Sequence, residues 1–434
     1  MNKKKQLLEK SQELINSETF KEQHRASEKY FTRMRKLSFS VLIILIIRKS
    51  VKSMQLILNE LSKELDTEPV TAAAFTKARA KLKHTAFIEL NREAVVGVCY
   101  GDGDFERYKG FRVLGIDGSK LLLPDTKDVI KEFGQISYRS NKNLPKGKHA
   151  YGMASVMYDV FNRIAVDSVL GTARAYEVNL AMKHLEYTQD NDLLLCDREY
   201  PSYRFLSTLV NKNRQFVIRC SAKSFSAARS MLKGKGTDSQ IITLKPHHSR
   251  LKEIKALGLP LEIKVRFVRV TLVTGEYEVL VTSLIDEEIW PTTEFKEIYW
   301  LRWGVEGFYS ILNTRLNLEN FTGQTAESVY QDFYATVYLT GMESILTADA
   351  NAELAKKPVC YPQQVNHIIS FNAIKNQAFD ILFGEGDTDS ILKKLHKLFL
   401  MNPTCRRKDR KKPRQKGSSR KLLDYWKRRR KHCF

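Results

Sequence analysis

Val113-Leu114-Gly115-Ile116-Asp117-Gly118-Ser119-Lys120 is an apolar, strand-like run that ends in a carboxylate and a glycine. A second run of the same kind, Leu193-Leu194-Leu195-Cys196-Asp197-Arg198-Glu199-Tyr200, follows later in the chain. A third acid, Glu306, sits in a helical setting, Tyr299-Trp300-Leu301-Arg302-Trp303-Gly304-Val305-Glu306. Two strand-end aspartates and one helix-borne glutamate suit a two-metal phosphoryl-transfer site. Mg2+ takes hard oxygen ligands and keeps much of its water, so a few carboxylates suffice. Two such ions clamp the attacking and leaving oxygens of an in-line displacement. Each acid has a bland alternative. Asp before Gly is a common turn former. Asp197 ends a buried run and can pair with Arg198. Glu306 and Arg302 are four apart on a helix, an ordinary surface pair.

Charge points the same way as the acids. The 434 residues carry net charge +23, which suits a polyphosphate partner, although an anionic membrane surface attracts it too. The apolar fraction, 43%, supports a substantial core and argues against wholesale disorder. Phe39 to Ile47 (FSVLIILII) is the most apolar stretch. It is far shorter than the ~20 residues of a membrane-spanning helix and lies too deep in the chain for a signal peptide, so it reads as a buried core helix. The six cysteines form no C-x-x-C pair and read as reduced thiols.

The spacing Tyr299, Arg302, Glu306, together with Asp117-Gly118-Ser119 and Asp197-Arg198, resembles the bacterial insertion-sequence DDE transposases. The subclass is the one marked by Tyr-x2-Arg-x3-Glu-x6-Lys, the insertion sequence four family. The resemblance covers roughly residues 30 to 345. Two departures stand out. Asn313 occupies the place of the signature lysine, and Glu199 that of the usual glycine. Arg315 is no simple substitute, since it points about 200° away on a helix of 3.6 residues per turn.

The resemblance implies an α/β fold: a ribonuclease-H-like catalytic core interrupted by a β-rich insertion, with an all-α N-terminal domain and a basic C-terminal tail. In that core the first and fourth strands lie side by side, which would bring Asp117 and Asp197 together. It implies catalysis and metal ligation by Asp117, Asp197 and Glu306, with Mg2+ as the ion and Mn2+ as the substitute, and DNA phosphate held by Tyr299 and Arg302. It implies cut-and-paste cleavage and strand transfer through a DNA hairpin. The partners would be double-stranded transposon ends and target DNA, bound by a homodimer in the bacterial cytoplasm near the nucleoid, without a membrane. Two rivals remain: a decayed or domesticated non-enzymatic DNA-binding protein, and a ribonuclease-H-like nuclease without strand transfer. Inverted repeats flanking the gene would separate them.

Residue patterning places the boundaries. Residues 1–105 read as a helical DNA-binding domain. There Met54, Ile57, Leu58, Leu61 and Leu65 make a helical stripe, and Asp66 to Pro69 break it. A helix from Thr71 to Lys83 carries Lys77, Arg79 and Lys81 as candidate DNA contacts, in the manner of a helix-turn-helix. A bundle helix with a solvated basic face is the alternative. Residues 106–220 read as β-β-β-α-β-α-β, the first part of the core, with a hairpin over 150–170 and a basic loop from Arg139 to Lys148. Residues 221–293 read as the β-rich insertion. Residues 294–350 form the second part of the core, with the Glu306 helix running from Thr293 or Glu294 to Leu316 and an apolar helix over 325–347. Trp300 and Trp303 read as core residues, with stacking against an unpaired base as the alternative. Residues 351–434 form a C-terminal helical region and the tail. Arg406 to Lys431 holds 15 Lys or Arg against Asp409 and Asp424, a net +13, more than half the chain's excess. Such a run is a solvated tail or a phosphate-tracking arm, and the two are compatible.

Overall fold

The computed structural model describes residues 2–33, 35–50, 52–64, 67–138, 147–383 and 387–405. The basic tail and most of the loop from Arg139 to Lys148 therefore lie outside the described residues. Nine strands carry the α/β architecture: β1 Arg112–Leu122, β2 Gln135–Tyr138, β3 Gly147–Asp159, β4 Ile164–Thr172, β5 Asp192–Cys196, β6 Gln215–Cys220, β7 Ser239–Leu244, β8 Ile263–Thr271 and β9 Tyr277–Thr282. The chain divides into two compact units.

One unit comprises Phe105–Ser119 and Met153–Tyr309. Its mixed sheet runs β3-β1-β5-β6-β9-β8-β7, with β4 paired to β3. β1, β5 and β6 are parallel neighbours, and β9, β8 and β7 continue the sheet antiparallel. The central strands are apolar on both faces: Val113, Leu114 and Ile116, then Leu193, Leu194 and Leu195, are all fully buried. Near-continuous apolar runs are what a parallel sheet covered on both faces requires. On one face Val113, Leu193, Leu195 and Val217 pack with Phe295, Ile298 and Tyr299. The strands expected as an insertion, β7 to β9, extend the main sheet by pairing β9 with β6.

The register of β1 on β5 is pinned at its start. Arg112 pairs with Asp192 across the strands, and its guanidinium donates to both carboxylate oxygens at 2.7 Å with both side chains buried. The same carboxylate accepts the Gln189 N–H. From there the register runs in step to Ile116 opposite Cys196, so the next residues are Asp117 and Asp197.

The second unit comprises Met1–Asp104, Lys120–Gly152 and Ser310–Phe434. It is built around the 30-residue helix Ala326–Ala355, longer than the expected 325–347, which starts in a capping box on Thr325 and Ser328. The helix Phe39–Ile47 buries every residue but Ser40 and packs on it, as the composition of that stretch predicts. β2 and the start of β3 pair within this unit, Gln135 opposite Ala150 to Tyr138 opposite Gly147. The helix Lys127–Phe133 and β2 have no counterpart in the patterning above. Among the described residues no helix is long and apolar enough to cross a membrane. None of the five described cysteines forms a disulfide.

Breaking the Arg112–Asp192 clamp from one side strands a buried charge, which costs about 3–5 kcal/mol. Asp192→Ala should therefore lose stability of that order in urea denaturation, and the double variant Arg112→Met/Asp192→Leu should recover most of it. Equal losses in both would show that the pair does not work as a unit.

Candidate acidic site

Asp117 stands where β1 outruns β5, beside the residue that follows the end of β5. Two glycines let other elements close on β1. A Cβ at Gly115 would lie 3.3 Å from the Val305 side chain, so the helix Trp303–Ser310 seats directly on the strand. A Cβ at Gly118 would lie 2.8 Å from the Glu177 carboxylate. Tyr309, from the same helix as Glu306, donates its hydroxyl to the Asp117 carbonyl at 3.0 Å and to the Ala154 carbonyl at 3.1 Å. These bonds lock that helix against β1 and β3.

The expected continuous helix through Glu306 is broken. Phe295–Trp300 and Trp303–Ser310 are separate helices, and Arg302 sits at the break with its side chain only 4% exposed. Its guanidinium donates to Glu306 Oε1 at 2.6 Å and lies 3.9 Å from Asp117 Oδ2. Tyr299 donates its hydroxyl to Asp197 Oδ1 at 3.4 Å, and the Arg198 N–H donates to the same oxygen at 2.6 Å. Asp117, Asp197, Glu306, Tyr299 and Arg302 are thus brought together in one unit, with a single guanidinium among the carboxylates. The Arg302 Nε is buried without an acceptor. Among the described residues no group of three or more acidic, histidine or cysteine side chains is placed so that it could hold a metal ion.

Electrostatics follow from this crowding. Burial pushes the Asp117 carboxyl up to about 7, against the pull of Arg302 and of the Gly118 N–H, while Glu177 and Glu306 push it further up. Burial works against the Arg302 charge, yet Tyr299, Glu306 and Asp197 hold its pKa above the ordinary value. Burial also raises the Tyr299 hydroxyl, so it remains a donor.

Other expected residues fall differently. Arg79 is not on a DNA-facing surface: it is 3% exposed and its fork is spent inside its own unit. It donates to Asp332 Oδ1 at 2.8 Å, to Gln331, to Thr322 and to the Ser328 carbonyl. The helix expected over 71–83 is Ala72–Arg79. Lys77 on it is exposed, while Lys81 is half-buried with its ammonium 5.3 Å from the Tyr30 ring centre. Trp300 and Trp303 are not core residues: they are 68% and 43% exposed, and the Arg302 guanidinium lies over the Trp303 ring. Asn313 lies in a π-helical turn with its Oδ1 buried and unpartnered. Glu177, in the first turn of the helix Glu177–His184, is an acid beside Asp117 that the sequence reading passed over.

Asp117 gives this site a testable stability signature. In the unfolded chain its carboxyl ionises near ~4. The folded chain holds the proton to about 7, so stability is lost as pH rises through that window. Asp117→Asn should match the wild type near pH 4 and exceed it at pH 8, by about 2–4 kcal/mol, in urea denaturation with a chelator present. Equal stability at pH 8 would mean that the carboxylate is not held in a desolvated place.

Residues 108–339, more than half of the chain, match the transposase DDE domain family. The transposase InsG for insertion sequence element IS4, from Escherichia coli (strain K12), is 28% identical over 210 residues, covering 47% of this chain and 45% of that protein. The chain thus spans about half the length of the curated relative it matches. A cryo-EM structure of the piggyBac transposase synaptic complex with hairpin DNA aligns over 90% of this chain and 84% of that one, at 11% identity and a TM-score of 0.47. The family match runs from the residues leading into β1, through β5, to beyond the Glu306 helix. The chain belongs to the transposase DDE domain family.

Proposed function

We propose that the chain is the DNA transposase of an insertion sequence, which binds the element's ends and carries out cut-and-paste cleavage and strand transfer. The observation that carries this reading is the gathering of Asp117, Asp197 and Glu306 around Arg302 and Tyr299. In the same proposal the sheet β3-β1-β5-β6 is a ribonuclease-H-like core. The surrounding partition is then a helical DNA-binding region over 1–105, β-rich elements inserted over 221–293, and a C-terminal region ending in a basic arm.

The donor set fits a hard divalent cation. It offers only carboxylate oxygens, and Asp117 is held in a place where burial disfavours its charge unless a cation arrives. Asp117, Asp197 and Glu306 would hold Mg2+ or Mn2+, which when bound neutralises phosphate charge and makes water or a 3′-hydroxyl a better nucleophile. Arg302 has a buried N–H still to satisfy, and a phosphate oxygen is the acceptor that suits a guanidinium. Tyr299 keeps its proton and positions Asp197. The exposed rings of Trp300 and Trp303 offer faces on which an unpaired base can stack. In the same unit Arg204, Lys223, Lys245 and Arg250 line a cleft with Tyr176 and Phe225, a mixture suited to a DNA strand. Two copies are needed, since two ends must be joined.

Asp117→Asn and Asp197→Asn should each abolish Mg2+-dependent cleavage of duplexes carrying the element's ends, with DNA binding kept or slightly strengthened because a negative charge beside phosphate is removed. Retained cleavage in either would place the chemistry elsewhere. Deleting residues 406–434 should weaken binding to all DNA sequences, and each lost phosphate contact should reduce the log–log salt slope by about one. An unchanged slope would mean that the tail does not meet DNA.

A further inference from the structure

Glu177 is not part of the two-aspartate, one-glutamate pattern, yet the fold carries it to the same place. It opens the helix Glu177–His184, which follows the β3–β4 hairpin. Its carboxylate occupies the space over Gly118 that any other residue would fill, since a Cβ there would come within 2.8 Å of its Cδ and Oε2 and 2.9 Å of its Cγ. The Tyr200 hydroxyl, three residues beyond Asp197, reaches Glu177 Oε2 at 3.5 Å. Glu177 therefore touches both segments that carry the aspartates. A first-turn acid is also an ordinary complement to a helix N-terminus. That role needs no glycine cleared beneath it and no neighbouring buried carboxyl. Arg302, the guanidinium beside Asp117 and Glu306, also has a buried Nε without an acceptor, an unmet bond that a phosphate oxygen at this place would satisfy.

We propose that Glu177 is a fourth carboxylate of the acidic site, reaching it through the space left by Gly118 and ligating a divalent ion together with Asp117. The inference rests on the metal-dependent reading above. It gives the glycine after the first aspartate a reason: the position is small so that an acid from another element can stand there. It also balances charge. Two divalent ions and Arg302 are matched in formal charge by four carboxylates and one phosphodiester, whereas three carboxylates leave a positive excess.

The test is Mn2+ binding by the full-length chain without DNA, followed by isothermal titration calorimetry and by the electron paramagnetic resonance of bound ion. Glu177→Gln keeps the shape and removes the charge, and should weaken Mn2+ binding by about tenfold or more. Gly118→Ala keeps the acid but displaces it, and should weaken binding in the same sense. If Glu177→Gln destabilises the fold, Gly118→Ala decides. Asp117→Asn serves as the reference. Loss of Mn2+ in Asp117→Asn with wild-type affinity in both Glu177→Gln and Gly118→Ala overturns the role of Glu177 and leaves the site reading standing. Wild-type affinity in Asp117→Asn, or no Mn2+ uptake by the wild type, contradicts the site reading itself.

Discussion

The bidentate contact between Arg112 and Asp192 is the constraint on which the rest of the site depends. It joins the first residues of β1 and β5 where both side chains are sealed from water. Side chains alternate across a strand, so a slip of one residue would turn each of them to the other face. A purely apolar pair of strands offers little against such a slip, because Val113, Leu114, Leu193, Leu194 and Leu195 are nearly interchangeable. A buried ion pair with one geometry supplies the missing specificity. Five residues later that register places Asp117 next to Asp197, and the two glycines of β1 let Glu306 and Glu177 approach from separate helices.

The site that results is out of electrostatic balance on its own. Carboxylates outnumber the one guanidinium among them, and burial above all, with a smaller push from Glu177 and Glu306, holds the Asp117 proton up to about 7. Arg302 can serve Glu306 and Asp117 together because the helix breaks at that residue, which turns its side chain inward beneath Trp303. This is a poor way to stabilise a fold, and perturbed groups of this kind are common at functional sites, which is in keeping with the function proposed above. Stability is supplied elsewhere, by the apolar sheet and by the long helix Ala326–Ala355 with its Arg79–Asp332 network.

Much of this was legible in the chain. Continuous apolar runs leading to Asp117 and Asp197 state the buried parallel strands, but only Asp197 lies past a strand end, since β1 continues through Asp117 to Leu122. The helical reading of Phe39 to Ile47 holds because a stretch so apolar has no surface to show. Other features depend on tertiary context that local pattern does not encode. Arg79 looked like one of a row of surface cations, and only the fold supplies Asp332, Gln331 and Thr322 to consume its donors. Trp300 and Trp303 looked like core because large aromatics usually are, but the break at Arg302 turns them outward. Strands β7 to β9 read as β-rich and turn-separated, and their pairing through β9 to β6 is a tertiary choice that this composition does not encode. Glu177 carries no local mark, since an acid in a first helical turn is commonplace. The signal available was Gly118, whose missing side chain asks what stands in its place.

The proposed divalent-ion site lies where β1 runs past the end of β5, at Asp117 and Asp197. Anomalous diffraction from crystals of the chain soaked in Mn2+ tests it most directly. An anomalous peak is expected within coordination distance, about 2.0–2.3 Å, of both Asp117 and Asp197, with the Arg302–Glu306 contact loosened to admit it. Mn2+ bound only elsewhere, with Arg302 still held to Glu306 and Asp117, would contradict it.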